Sequence, residues 1–292
     1  MLGGSTPVRI AVDRFEGGAN IGSFDARAYW EERLSGDVGV RRVGNRSFGL
    51  RYNGWLYRVR RVQFIRRMHR SLGPDRSRLD VLDIGSGSGV YVDLWHRLGV
   101  RRVVGSDLTI GAVSHLQRAF PGMTFEQGDV GNPNFMSHDG PFDVVSAFDV
   151  LFHIVDDERF AQAIANVARL LKPGGYFVFS DLFLHGRTFE SLHQVGRTLD
   201  HISRVLRRSG FDIIQRRPIF VIMEAPVDST SVLHKRFWRT WRKLVSQRES
   251  FGWVAGAIAF PVELALSVCV SEGPSIEMMV CRRLPDGPST ER

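Results

Sequence analysis

The stretch Val81-Leu82-Asp83-Ile84-Gly85-Ser86-Gly87-Ser88-Gly89 decides the fold. The run from Leu79 to Ile84 reads as a buried strand that delivers the chain into a glycine turn. Beyond the turn, Val90, Leu94 and Leu98 recur at helical spacing. Without Cβ atoms the backbone passes close to a ligand, and the unpaired N–H groups of the helix start face it. The spacing departs from the dinucleotide fingerprint Gly-x-Gly-x-x-Gly/Ala, because its third key position is Val90. Asp83, two residues before the turn, would repel a phosphate and suits a ligand with an ammonium or sulfonium group.

Moving outward, Asp107 ends a second strand (Val103–Gly105) 22 residues beyond Gly85, where a carboxylate can accept bonds from both hydroxyls of a ribose. After a third strand, Met123–Glu126, comes Gln127-Gly128-Asp129-Val130, with a carboxylate suited to an adenine amino group. Asp at a strand end also caps turns and helices, so each acid alone is weak evidence. Three of them with the glycine turn are not. A fourth strand is expected over Phe142–Ala147 and a fifth over Tyr176–Ser180. Phe160, Ile164, Val167 and Leu171 mark a helix face stopped by Lys172-Pro173-Gly174-Gly175; Val195, Leu199, Ile202 and Leu206 mark another, ending at Gly210. Strands Ile213–Met223, interrupted by Pro218, and Ile276–Cys281 close the sheet. This alternation predicts the doubly wound α/β class, with ligands beyond the C-terminal strand ends.

From about Leu79 to Gly210 the chain resembles the class I S-adenosylmethionine-dependent methyltransferases of the small-molecule type. Asp83, Gly85, Gly87 and Gly89 match the glycine motif, Asp107 the ribose-binding acid, and Gly128-Asp129-Val130 the adenine-contacting motif. Phe142-Asp143-Val144-Val145 and Leu170-Leu171-Lys172-Pro173-Gly174-Gly175 match the fourth strand and the turn before the fifth. The resemblance implies a seven-stranded, mostly parallel Rossmann-like sheet with an antiparallel last strand. It also implies S-adenosyl-L-methionine as cofactor and S-adenosyl-L-homocysteine as product. Its cofactor contacts would be Asp83, Gly85, Ser86, Gly87, Gly89, Asp107, Leu108, Asp129, Val130 and Phe148, covered by Tyr29 on a helix through Tyr29-Trp30-Glu31-Glu32-Arg33. The expected division is a basic helical cap (1–78), a cofactor-binding core (79–227), a helical insertion (228–273), the last strand (274–284) and a disordered tail (285–292).

Methyl transfer from a sulfonium is an in-line displacement that needs alignment and dryness but no covalent nucleophile. In the resemblance, Ala147-Phe148-Asp149-Val150-Leu151-Phe152-His153 lies between cofactor and acceptor. His153 is a candidate general base and Asp149 a further catalytic candidate; His185 and Asp181 stand beyond the fifth strand. The plainer reading of His153 is a helix-start histidine bonded to backbone or packed on Phe148. Ser146-Ala147-Phe148-Asp149 lacks the Asn/Asp-Pro-Pro-aromatic pattern of amino-group nucleic-acid methyltransferases, and no cysteine lies near that strand. The first expectation is therefore O-methylation of a small molecule, with no DNA partner and no metal. The runner-up is an RNA methyltransferase using Arg58, Arg60, Arg61, Arg66, Arg67 and Arg70 of a helical run over Trp55–Leu72. From another class, a non-catalytic cofactor-binding protein fits the same motifs.

The insertion hints at the acceptor. In Lys235-Arg236-Phe237-Trp238-Arg239-Thr240-Trp241-Arg242-Lys243-Leu244-Val245, apolar residues recur every three or four positions, and Trp253–Val270 is almost wholly apolar. Pro261 and Glu263 argue against a membrane span. Either a lid is formed here, or residues 234–270 touch a membrane surface or admit a lipid-like acceptor. The chain has 292 residues, 39 Lys+Arg, 31 Asp+Glu and a net charge of +8. By thirds, 1–78 carries +9, 79–181 −6 and 182–292 +5. Arg outnumbers Lys by 36 to 3, which a codon preference explains as well as nucleic-acid binding does. Cys269 and Cys281 cannot build a disulfide framework or a Cys-rich zinc module, and no secretory signal is legible, so a cytoplasmic protein is expected.

Overall fold

Alternation of apolar side chains along the central strands builds two cores on opposite faces of one sheet. The structure is a computed structural model that describes residues 25–34, 44, 47–137, 140–186, 188–191 and 193–285. In chain order the elements begin with α1 (Ala26–Leu34), α2 (Leu50–Ser71), β1 (Asp80–Ile84), α3 (Val90–Arg97), β2 (Arg102–Asp107), α4 (Ile110–Ala119), β3 (Thr124–Gln127) and β4 (Phe142–Ala147). After a 3₁₀ turn (Leu151–His153) come α5 (Asp157–Leu170), β5 (Leu171–Asp181), the hairpin strands β6 (Phe189–Glu190) and β7 (Val195–Gly196), and α6 (Leu199–Arg208). The chain ends with β8 (Phe211–Pro218), α7 (Val232–Gln247), α8 (Glu249–Cys269) and β9 (Glu277–Arg283).

The main sheet has seven strands in the order β3-β2-β1-β4-β5-β9-β8. β1 to β5 run parallel, and β9 inserts antiparallel between β5 and β8. Val81, Val103, Val144, Val178 and Val280 face one core with α2, α3 and α4. Leu82, Val104, Val145, Phe177 and Cys281 face the other with α5 and α6. One strand residue of difference switches the face, as period-two alternation requires. The register aligns Ile84 with Ser106 and with Ala147, so the ends of β1, β2 and β4 open along one edge. The seven-stranded, mostly parallel expectation is met.

Local boundaries differ where distant partners intervene. The helix read from Trp55 starts at Leu50, because Glu249 accepts the Leu50 and Arg51 N–H groups, each at 2.8 Å. The helix read from Val195 starts at Leu199: Val195 instead pairs with Glu190, and Thr198 caps the helix. β8 stops at Pro218, because proline donates no ladder bond, and the Val221–Met223 amides go to the Glu263 carboxylate instead. β5 starts at Leu171, earlier than expected, through the Lys172–Gly175 turn, where the Lys172 ammonium holds both oxygens of Asp143. The insertion is a pair of helices, α7 and α8, with α8 laid along α2. Residues before Asp25 and after Pro285 lie outside the described residues, including nearly all of the expected tail.

Candidate cofactor and active site

The glycine turn lies between β1 and α3, with Gly85, Gly87 and Gly89 at φ of 69°, 51° and 81°. A Cβ on Gly85 would stand 2.3 Å from Val150 Cγ2, so glycine is needed there for space as well as for dihedral angle. That contact also brings the residue after Asp149 against the turn. Gly89 begins α3 with no side-chain cap, which leaves the first amides of the helix as donors for a ligand. A turn of this shape fits a cofactor held by backbone N–H groups.

The acids around it are not equally open. Asp83 is buried beneath the turn, where Ser146 Oγ donates to its Oδ1 at 2.6 Å. Trp95 Nε1 donates in turn to Ser146 Oγ at 2.9 Å. Burial pushes the Asp83 carboxyl up to about 7, against the pull of Ser146 and Ser86. Asp107 accepts from Thr109 N and Oγ1 at Oδ1 and from Gly87 N at Oδ2, each at 2.9 Å. Burial raises its pKa although those bonds lower it. Three of a carboxylate's roughly four acceptor directions are thus taken, leaving room for one ribose hydroxyl rather than the expected two. Leu108, next in the chain, accepts from Gln127 Nε2 through its carbonyl at 3.1 Å.

At β3 the Asp129 carboxylate accepts from Gly131 N at 2.9 Å and pairs with Arg159, so two of its acceptor directions are engaged within the chain. Val130 packs into the α5 core. Phe148 departs from expectation. It stacks on Tyr91 with ring centroids 4.0 Å apart and sits edge-on to Phe64, inside the α3 core, because one step past Ala147 the strand turns its side chain to that face.

α1 lies over the strand ends. Glu31 accepts from Ile110 N at 2.8 Å, tying α1 to the start of α4. Tyr29 stacks on His193, and Trp30 meets His153 edge-on with centroids 4.8 Å apart. His153 Nδ1 lies 2.8 Å from the His193 carbonyl, which fixes Nδ1 as the protonated nitrogen. Burial, chiefly, pulls its pKa down to about 3, so it is neutral and a feeble base. His185 stands elsewhere, exposed between Asp228 (Nδ1 to Oδ2, 2.6 Å) and Glu272 (Nε2 to Oε2, 3.2 Å). Asp181 is buried at the end of β5, accepts from Leu182 N at 2.7 Å and is pushed by burial up to about 7. The structure does not gather these three residues into one constellation.

Asp149 has a different setting. It holds the left-handed conformation, φ 59°, and its N–H donates to Ser180 Oγ at 2.8 Å. Ser180 Oγ lies 3.0 Å from its Oδ1, and Arg60 Nη1 lies 3.2 Å from Oδ2. Asn53, Leu56, Tyr57, Arg60, Asp149 and Glu224 line a cavity of about 40 Å³ between α2 and the end of β4. Burial opposes charge on Arg60, but Asp149 and the neighbouring acids outweigh it and raise its pKa. Tyr57 is pushed by burial up to about 12. Arg60, one of the arginines expected on a nucleic-acid patch, lies here instead with Tyr57 and Glu224, which no sequence motif marks. The available signal was Arg60 at helical spacing from Leu56 and Phe64, on the inward face of α2. Arg67 is buried too, its guanidinium on Gln63 and the Pro218 carbonyl. Two of the six arginines offered to RNA therefore point inward.

The profile of the family described as "Methyltransferase domain" matches residues 81–175, from β1 through the turn that opens β5. Its span coincides with the glycine turn and the strand ends just described. Over residues 81–175 the chain carries a class I S-adenosylmethionine-dependent methyltransferase domain. Its cofactor is S-adenosylmethionine. This methyltransferase is 28% identical over 185 residues to a Mycolicibacterium smegmatis protein named "Probable S-adenosylmethionine-dependent methyltransferase", covering 61% of this chain and 68% of that one. It is 33% identical over 135 residues to the ubiquinone biosynthesis O-methyltransferase of Thiobacillus denitrificans, covering 45% of this chain and 55% of the relative. The methyltransferase thus spans about half the length of that relative. Its fold is similar to that of the N-methyltransferase NodS from Bradyrhizobium japonicum in complex with S-adenosyl-L-homocysteine. There the TM-score is 0.53 at 16% identity, over 89% of this chain and 99% of that one.

Proposed function

We propose that this methyltransferase methylates a hydroxyl of a small, hydrophobic or lipid-like acceptor, of which the hydroxyl alone enters the cavity between α2 and the end of β4. The observation that carries the proposal is the position of Asp149. Of the catalytic candidates His153, Asp149 and His185, it alone lines the cavity with Tyr57, Arg60 and Glu224, and its neighbour Val150 touches the glycine turn. When bound, S-adenosylmethionine would supply a methyl group on a sulfonium, to whose carbon the acceptor oxygen bonds in line as the carbon–sulfur bond breaks and S-adenosylhomocysteine leaves. The chain's part is to aim that oxygen and receive its proton. Arg60 and Ser180 fix the Asp149 carboxylate, which accepts the hydroxyl proton. Tyr57, neutral across the physiological range, offers its hydroxyl to the same oxygen. Tyr29, with Asp107 accepting one ribose hydroxyl, holds the cofactor beneath α1. His153 carries α1 through Trp30 and does not act as base.

The name of the Thiobacillus relative, an O-methyltransferase of ubiquinone biosynthesis, supports oxygen and a lipid-like acceptor. The test uses S-adenosylmethionine with a tritiated methyl group against phenols, catechols and their prenylated or alkylated forms. The expected result is O-methylation that favours the alkylated rings, with turnover of Asp149→Asn down on the order of 10²–10⁴-fold and cofactor affinity unchanged. Methylation of amines alone, or full turnover by Asp149→Asn, would sink the reading. Cofactor binding with no transfer to any probe would favour the non-catalytic alternative.

A further inference from the structure

We propose that the α7–α8 hairpin seats the enzyme on an anionic lipid bilayer, by an in-plane contact that is separate from the choice of acceptor. α8 has two faces. Gly252, Ala255, Gly256, Ala259, Glu263 and Ser267 are buried, and the two glycines let α8 close on Tyr52 and Trp55 of α2. Away from that face Phe251, Val254, Ile258 and Val262 are exposed at three- and four-residue spacing, with Trp253 and Val268 beside them. Ile258 is 66% exposed, a level that a lone core helix does not show in its middle. A helix of 21 residues is about 31 Å long, so this is a continuous apolar stripe and not a scatter of single side chains.

The stripe is uncharged because both acids of α8 are engaged elsewhere. Glu249 accepts from Leu50 and Arg51 N–H, and Glu263 from the Val221, Ile222 and Met223 amides. Next to it, residues 230–248 hold six Lys and Arg and no Asp or Glu. Lys235, Arg236, Arg239, Arg242 and Lys243 are exposed on α7, and no ion pair to them is found among the described residues. Apolar side chains flanked by unpaired cations complement acyl chains beneath anionic headgroups. A second copy of the chain complements them poorly, since a two-fold contact would set cation against cation. Nor does α8 suit a span: Glu263 and the glycine contacts fasten it to α2 and the 221–223 loop.

The test is co-sedimentation of the full chain with phosphatidylcholine vesicles and with phosphatidylcholine–phosphatidylglycerol vesicles, at low and high salt. The wild type is expected to bind the anionic vesicles, to bind pure phosphatidylcholine weakly and to release in high salt. I258E/V262E should lose binding at least about tenfold to both vesicles. K235Q/R239Q/R242Q/K243Q should lose the anionic preference by at least about a hundredfold, from about fivefold per cation at the surface. Both variants change exposed positions, and retained S-adenosylmethionine affinity by calorimetry confirms that they fold. Four results would overturn the proposal: no wild-type binding to anionic vesicles at low salt, binding that both variants keep, resistance to alkaline carbonate extraction, or a solution dimer abolished by I258E/V262E.

Discussion

Around the glycine turn, acids at strand ends bond within their own neighbourhood: Asp107 to Gly87 and Thr109, Asp83 to Ser146. Across the molecule, Glu249 and Glu263 give their carboxylate oxygens to backbone amides of α2 and of the 221–223 loop. The first arrangement leaves polar groups at the glycine turn, where a ligand can use them. The second removes charge from a surface and leaves it apolar. One residue type thus makes a site in one region and a bare face in the other, and what decides is whether the backbone nearby already has its partners.

The sharpest way to break this comparison is Glu263→Ala. Three amides lose their acceptor at a fully buried position, and the expected loss is about 3 kcal/mol or more, a fall in Tm of roughly 6–12 °C. Cofactor affinity should hold, since α8 lies away from the turn. If affinity collapsed while Tm stayed put, the two regions would not be separable in this way. Asp107→Ala should do the converse, weakening S-adenosylmethionine binding roughly ten- to hundredfold in calorimetry, for a loss of about 1.5–3 kcal/mol. An unchanged Kd would remove Asp107 from the cofactor's contacts.

The smallest effect tests burial itself. The folded Asp181 carboxyl titrates near 7, above its ordinary value, so between about pH 4 and 7 the folded state holds the extra proton and stability falls as pH rises. Asp181→Asn keeps an acceptor for Leu182 N–H and removes that slope. Thermal melts should show the variant more stable at pH 8 by about 1 kcal/mol or more, with the gain gone below about pH 4. His153 tilts the other way: its folded pKa near 3 lies below its ordinary value, so it costs stability as pH falls through about 6.5 toward 3. A melt difference for Asp181→Asn that grows toward acid pH would contradict the assignment.

The sheet was legible because its signals are local. Strand periodicity, the glycine turn and the Lys172–Gly175 stop all lie within a few residues of the element they govern. The site was legible only as far as such signals reach. Asp83 and Asp107 stand at the turn as expected, but Phe148 points into the core, Asp129 is held by Arg159 and His153 is held by the His193 carbonyl. Those partners lie 57, 30 and 40 residues away, and no spacing rule connects them. Arg60 was visible as a basic residue, but Asp149 is what makes it part of a cavity, and that pairing exists only once α2 crosses the end of β4.

The Glu249 carboxylate, finally, sets an order of events during synthesis. Gly49 gives α2 no side-chain cap, and the acceptor for Leu50 N–H arrives 199 residues later in the chain. While the ribosome is still making the middle of the protein, the start of α2 is left to water. The strand that joins β8 to β5 comes later still. A nascent chain can shape the glycine turn well before it can finish the helix that lines the Asp149 cavity. Released fragments that stop short of residue 249 would therefore expose the apolar side of α2 to chaperones and proteases.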